Sequence, residues 1–144
     1  MLGCQSNHKP QVETVSFSPQ QKQQASLKTG KLIADFQKWH FDSSPMTQAY
    51  RGLKIQYDKW DDLSISFEIS QQKQVETFLS TANSIEQGAL NHQDSLSLDL
   101  ISYDLNLANK QYRFRYHNFP VNQMAGLHTQ VPSFMLNIHQ IDTI

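Results

Sequence analysis

The sequence predicts an all-α fold of two or three long amphipathic helices joined by irregular loops. Two observations point there. Apolar residues recur at three- and four-residue intervals along separate stretches, which places them on one side of a helix. The alternation expected of a strand occurs only over Ile65-Ser66-Phe67-Glu68-Ile69, too short a run to outweigh the helical pattern.

The first helical stretch starts after Pro19. Leu32, Phe36 and Trp39 stand at i, i+4 and i+7 and define one apolar face, behind a run rich in Gln and Lys that favours helix without adding core. Ser43-Ser44-Pro45 then reads as a stop and restart, with Ser44 as N-cap and Pro45 at the first helical position. The short helix so begun ends near Gly52, a natural residue just past a helix terminus. Residues 53–63 read as an ordered loop anchored by Tyr57, Trp60 and Leu63, and Ser64 or Ser66 caps the next helix. There Val75, Phe78, Leu79, Ala82, Ile85 and Ala89 share one stripe, with Gly88 and Asn91 at its end. A further helix opens at Asp94 or Ser95, presents Leu96, Leu100, Tyr103, Leu107 and Phe114 as its face, and fails near Asn118, before Pro120. Beyond it, irregular chain with one short helix around residues 133–139 is expected. No fixed period repeats along the chain.

At 144 residues the chain suits one domain with a buried core. Charged residues make up only 17% and the formal net charge is −1, so no electrostatic case exists for nucleic acid as a partner. No apolar stretch approaches the roughly 20 residues of a membrane span.

The single cysteine, Cys4, excludes an intrachain disulfide. Its surroundings, Met1-Leu2-Gly3-Cys4-Gln5, resemble the end of a bacterial lipoprotein signal, in which a small residue leaves the thiol accessible to a diacylglycerol. Gln5 after the cysteine then favours the outer over the inner membrane by resemblance to sorting rules. A charged n-region and an apolar h-region do not precede Cys4, and Met1 stands where such signals prefer Leu. Lipid attachment at Cys4 and a free thiol on a polar end both remain readings of these residues; Met1 as the true start would make the protein cytoplasmic. In the first reading, residues 1–18 form a lipoprotein-like terminus and polar tether ahead of a helical unit over residues 19–144.

Catalytic signals are sparse. Six histidines occur, His8, His40, His92, His117, His128 and His139, but none pair at i, i+4 and no His-Glu-x-x-His is present, so scattered surface histidines are the better reading. Asp58, Asp61 and Asp62 lack the alternating oxygen ligands of a calcium loop and read as capping carboxylates. Tyr112-Arg113-Phe114-Arg115-Tyr116-His117 interleaves bases and aromatics, yet on a helix successive side chains diverge, so apolar packing with snorkelling arginines is expected rather than a stacking platform. No Gly-x-Ser-x-Gly elbow and no glycine-rich phosphate loop occur.

Three stretches in register resemble one family. They are Pro45-Met46-Thr47-Gln48-Ala49-Tyr50-Arg51-Gly52-Leu53-Lys54 with Tyr57-Asp58-Lys59-Trp60-Asp61-Asp62-Leu63-Ser64; Ser102-Tyr103-Asp104-Leu105; and Phe119-Pro120-Val121-Asn122-Gln123-Met124-Ala125-Gly126-Leu127-His128 with Val131-Pro132-Ser133-Phe134. They resemble the bacterial domain of unknown function 885 over roughly residues 30 to 144. The resemblance implies a largely helical protein, often a lipoprotein, whose longer relatives look like zinc-dependent metallopeptidases through a His-Glu-x-x-x-Gly-His-type motif far downstream. That motif is absent here, so the resemblance assigns this chain no catalytic residue, no metal ligand and no cofactor; zinc is implied only for full-length relatives. It implies instead an incomplete, N-terminal part of a larger metallopeptidase-like fold, packed beside a missing C-terminal catalytic region. Asn122 and Gln123 are candidates to line its cleft, although hydrogen bonding within their own turn is the preferred reading. The apolar end of the chain, from Phe134 through Ile138 and Ile141 to Ile144, fits a surface that expects a partner. The expectation is thus a truncated, non-catalytic segment of an envelope lipoprotein; the alternative is a complete small helical lipoprotein that acts as a binding module.

Overall fold

The computed structural model describes residues 16–115, 118, 121, 122, 124 and 126–139. Among them the chain forms five α-helices and no named strand: α1 Pro19–Asp42, α2 Pro45–Tyr50, α3 Ile65–Asn83, α4 His92–Tyr112 and α5 Leu127–Asn137, with a 3-10 turn at Gln87–Ala89. The all-α expectation holds.

Each start has a local cause. At α1, Ser18 Oγ accepts from Gln21 N–H at 3.2 Å and Gln21 Oε1 accepts from Ser18 N–H at 2.8 Å, a reciprocal capping box ahead of Pro19. Ser44 caps α2 as expected, accepting from Thr47 N–H at 3.1 Å. Helix α2 closes at Gly52, whose φ of 75° suits glycine: Gly52 N–H donates to Ala49 O and Leu53 N–H to Gln48 O, each at 2.9 Å. Ser64 is the cap of α3, accepting from Phe67 N–H at 3.2 Å.

Helices α1, α3 and α4 build the core. Ala25 and Leu32 from α1, Val75, Phe78, Leu79 and Ala82 from α3, and Leu98, Ile101 and Leu105 from α4 are all buried together. Phe36 and Trp39 close one end over Phe78, with ring centroids 5.7 and 5.4 Å from it in edge-on geometry. Helices α3 and α4 run antiparallel: Gln87 Nε2 donates to Asp99 Oδ1 at 2.7 Å near their connection, and Gln72 reaches Asn109 at the far end. Thr29 is fully buried, and its hydroxyl bonds the Ala25 carbonyl at 3.0 Å, so its methyl can face the core without leaving a polar atom unpaired.

Several boundaries differ from the sequence expectation. Helix α3 stops at Asn83, well before Gly88; Ile85 and Ala89 reach the core from the connection instead. Gly88 serves a close approach: a Cβ there would lie 3.0 Å from Phe17 Cε2, so its absence admits that ring. Asn91 does not end a helix but starts one, its Oδ1 accepting from Asp94 N–H at 2.9 Å. Asp94 in turn accepts from the Ser26 hydroxyl, which ties the start of α4 to α1. Helix α4 ends at Tyr112 rather than near Asn118. Helix α5 spans Leu127–Asn137, longer than the short helix expected, and carries Pro132 in its interior, where the proline leaves the His128 carbonyl without its usual backbone donor.

Candidate functional site

The largest departure from the sequence reading lies on α4. Leu96, Leu100, Tyr103 and Leu107, expected to face the core, are 46, 60, 67 and 41% exposed. Phe114, the last member of that stripe, lies past the helix end and is also exposed. The inward face is Leu98, Ile101 and Leu105, the last only 1% exposed. At 3.6 residues per turn the two sets lie on roughly opposite sides of the helix. The sequence carried the signal for both, because each set keeps three- and four-residue spacing. The inner set wins the core because it is the one that meets Leu32 and the α3 stripe.

A second cluster joins the loop after α2 to α5. Phe134, buried, receives Tyr50 and Trp60, each with its ring centroid 5.3 Å away. Tyr57 stacks on His139 at 4.0 Å, and its hydroxyl donates to the Ile138 carbonyl at 3.0 Å. Tyr57 and Trp60 therefore anchor the loop through ring contacts, although Trp60 keeps one side in solvent, whereas Leu63 is exposed. Asp61 accepts from Ser44 Oγ at 2.8 Å and Met46 N–H at 2.9 Å, so this carboxylate caps α2 from across the loop. Asp62 accepts from Ser64 N–H at 2.8 Å just ahead of α3. Gln48 is buried against this region; its Nε2 donates to the Phe41 carbonyl at 2.7 Å, while its Oε1 has no protein partner among the described residues.

Of the residues singled out in the sequence, Cys4 and Gln123 lie outside the described residues, as do His8, His117, Tyr116, Ile141 and Ile144. Asn122 Oδ1 accepts from Met124 N–H at 2.8 Å, a bond within its own turn, beside an isolated bridge between Val121 and Gly126. Arg113 lies over the Phe114 ring at 4.8 Å just past the end of α4, and Arg115 adopts a φ of 49°, so the basic-aromatic run leaves the helix there. Among the described residues no three His, Cys, Asp or Glu side chains come close enough to share a metal ion, and no helix is long and apolar enough to cross a membrane.

An open groove of about 710 Å³ runs between α1 and α3 over Leu32, Trp39, Phe78 and Ile85. Its rim holds Lys31 and Lys38, which pair with Asp35 and Asp42 one turn on. These exposed pairs offer neither an activated nucleophile nor a positioned base.

The family of bacterial proteins of unknown function DUF885 matches residues 45–144, from the first residue of α2 onward. The chain belongs to this family. No curated protein and no solved structure is significantly similar to it. Within this DUF885 protein the matched region takes in the aromatic cluster, α3 and both faces of α4, while α1 precedes it and completes the core.

Proposed function

We propose that this DUF885 protein is a non-catalytic helical segment of an exported lipoprotein, and that the outer face of α4 is a surface on which polypeptide docks. The observation that carries the reading is a helix apolar on two opposite sides, one already satisfied by α1 and α3 and the other in solvent. An exposed apolar stripe of this kind is a feature of surfaces that bind another polypeptide. In intact relatives, which resemble zinc metallopeptidases, the downstream catalytic half takes that surface. The described residues of this chain do not fit a zinc ion, since their histidines and carboxylates do not converge, and no catalytic step is assigned to them.

Lipid attachment at Cys4 is part of the same proposal and rests on Gly3-Cys4 and the polar residues that follow. The alternative, a complete small envelope module, draws support from the well-buried centre at Leu32, Ala82 and Leu105. One experiment separates these readings. The chain is co-expressed with the downstream half of an intact DUF885 relative and purified through a tag on that half. The proposal predicts co-purification, lost in the Leu100→Glu/Tyr103→Glu variant; no co-purification would favour the complete module. Incorporation of labelled palmitate, lost in Cys4→Ser, tests the anchor separately.

A further inference from the structure

The outer stripe of α4 is regular along its length. Its residues, Leu96, Leu100, Tyr103 and Leu107, are separated by four, three and four positions, a sequence of intervals that reads the same in both directions. These are also the alternating intervals of a coiled-coil seam. An antiparallel isologous contact can use such a pattern throughout, because there residue i meets residue j and j meets i. Lay two copies of α4 antiparallel about a two-fold axis passing between Ile101 and Ser102. Leu96 then meets the partner's Leu107, and Leu100 meets the partner's Tyr103. Every member of the stripe finds an apolar counterpart.

The flanks permit the arrangement. One edge of the seam carries Asp99 and Asn106, the other Ser97 and Asp104. Under the two-fold each edge faces itself, so Asp99 lies beside the partner's Asn106 and Asp104 beside the partner's Ser97. No two like charges meet at the seam, a clash that would otherwise oppose pairing. Asp99 is already held by Gln87 at 2.7 Å, which keeps its carboxylate at the edge. The four side chains present on the order of 400 Å² per copy, within the range of the largest apolar patches on monomers, which are often functional. Two such patches supply about 800 Å² of apolar contact, and the polar residues along both edges add to it toward the roughly 1,200 Å² at which stable complexes begin.

We propose that two copies of this chain associate through the outer face of α4 as an antiparallel, two-fold pair centred between Ile101 and Ser102. This rests on the reading of that face as a docking surface, and names a second copy as its occupant when the chain stands alone. In the pair the core-facing residues Leu98, Ile101 and Leu105 keep their own contacts, so each protomer's fold is unchanged.

The test uses the full chain carrying Cys4→Ser, so that the only thiols are those introduced. Leu100→Cys chains and Tyr103→Cys chains are oxidised separately and then as an equimolar mixture. The two-fold places positions 100 and 103 level across the seam, within reach of a disulfide, and sets each like pair off along the axis. The proposal predicts at least ten-fold more disulfide-linked dimer in the mixture than in either single preparation, and sedimentation at twice the monomer mass for the Cys4→Ser chain. Leu100→Glu/Tyr103→Glu, on exposed positions, keeps its helical circular dichroism and sediments as a monomer. A monomeric Cys4→Ser chain overturns the pair, as does equal linking in the single preparations, which a parallel arrangement would give. A monomer whose binding of the dye ANS falls on Leu100→Glu/Tyr103→Glu leaves the docking surface standing and removes only the second copy. If neither association nor dye binding responds to that variant, both readings fall.

Discussion

Helices α3 and α4 form one antiparallel hairpin and are nearly equal in length, yet they treat solvent differently. From Gln71 onward α3 has a single apolar stripe, and its outer positions are Lys73, Glu76, Thr77 and Ser80, all exposed. Helix α4 buries Leu98, Ile101 and Leu105 and still exposes Leu96, Leu100, Tyr103 and Leu107. From Gln71 onward α3 is satisfied by the domain it belongs to, although Ile65 and Ile69 in its first turns are exposed. A helix like α4 retains a second apolar surface, and the hydrophobic effect favours removing that surface from water by contact with something else.

The contrast can be broken most forcefully in the shared core. Phe78→Ala removes the ring that receives Phe36 and Trp39, and a loss of about 3–5 kcal/mol is expected in urea unfolding. A loss under 1 kcal/mol would mean that the aromatic end does not hold the hairpin to α1. Leu105→Ala should lose about 2–5 kcal/mol, because the site is closed on all sides and relaxes little. Leu107→Ala, only two positions on, should stay within about 0.5 kcal/mol when measured on the monomer. Equal losses at the two positions would erase the distinction between the faces of α4.

The two caps sharpen the same comparison at lower amplitude. Ser64→Ala and Asn91→Ala should each destabilise by about 1 kcal/mol in thermal melts. Asn91→Ala should be the larger, because Asn91 Nδ2 also holds Asp94 at 2.8 Å, the carboxylate that receives Ser26 from α1. Equal effects would show that this link adds nothing to α4. A change comparable to the caps is expected away from the hairpin: Tyr57→Phe deletes one bond to the Ile138 carbonyl, about 0.5–1.5 kcal/mol, and should raise hydrogen exchange in α5 before it alters the core.

What the sequence made legible is local. Ser44-Pro45, Gly52 and Ser64 were readable because caps act within three or four residues of the atoms they satisfy. The α3 stripe was readable because only one apolar face exists along most of that helix. On α4 periodicity offered two faces and gave no means of choosing, since the choice depends on where α1 and α3 lie. Asn91 was read as a stop because Asn suits both ends of helices, and its hydrogen bond to Asp94 decides for the start. The cluster of Tyr57 with Ile138 and His139 joins residues some eighty positions apart, and nothing in the local pattern around Tyr57 specifies it. Of the candidate site, Asn122 accepts a hydrogen bond from Met124 within its own turn, while the exposed face of α4 was visible only as a misplaced core.

The placement of the α4 stripe outside the core is tested most directly by Leu105→Asp and Leu107→Asp, each unfolded in urea and followed by far-UV circular dichroism at low concentration. A carboxylate at position 105 would be buried without a partner, whereas at position 107 it stands in water. The expected result is loss of the cooperative transition for Leu105→Asp and a transition close to the parent chain's for Leu107→Asp. A cooperative Leu105→Asp chain beside an unfolded Leu107→Asp chain would contradict it, and would return Leu96, Leu100, Tyr103 and Leu107 to the interior.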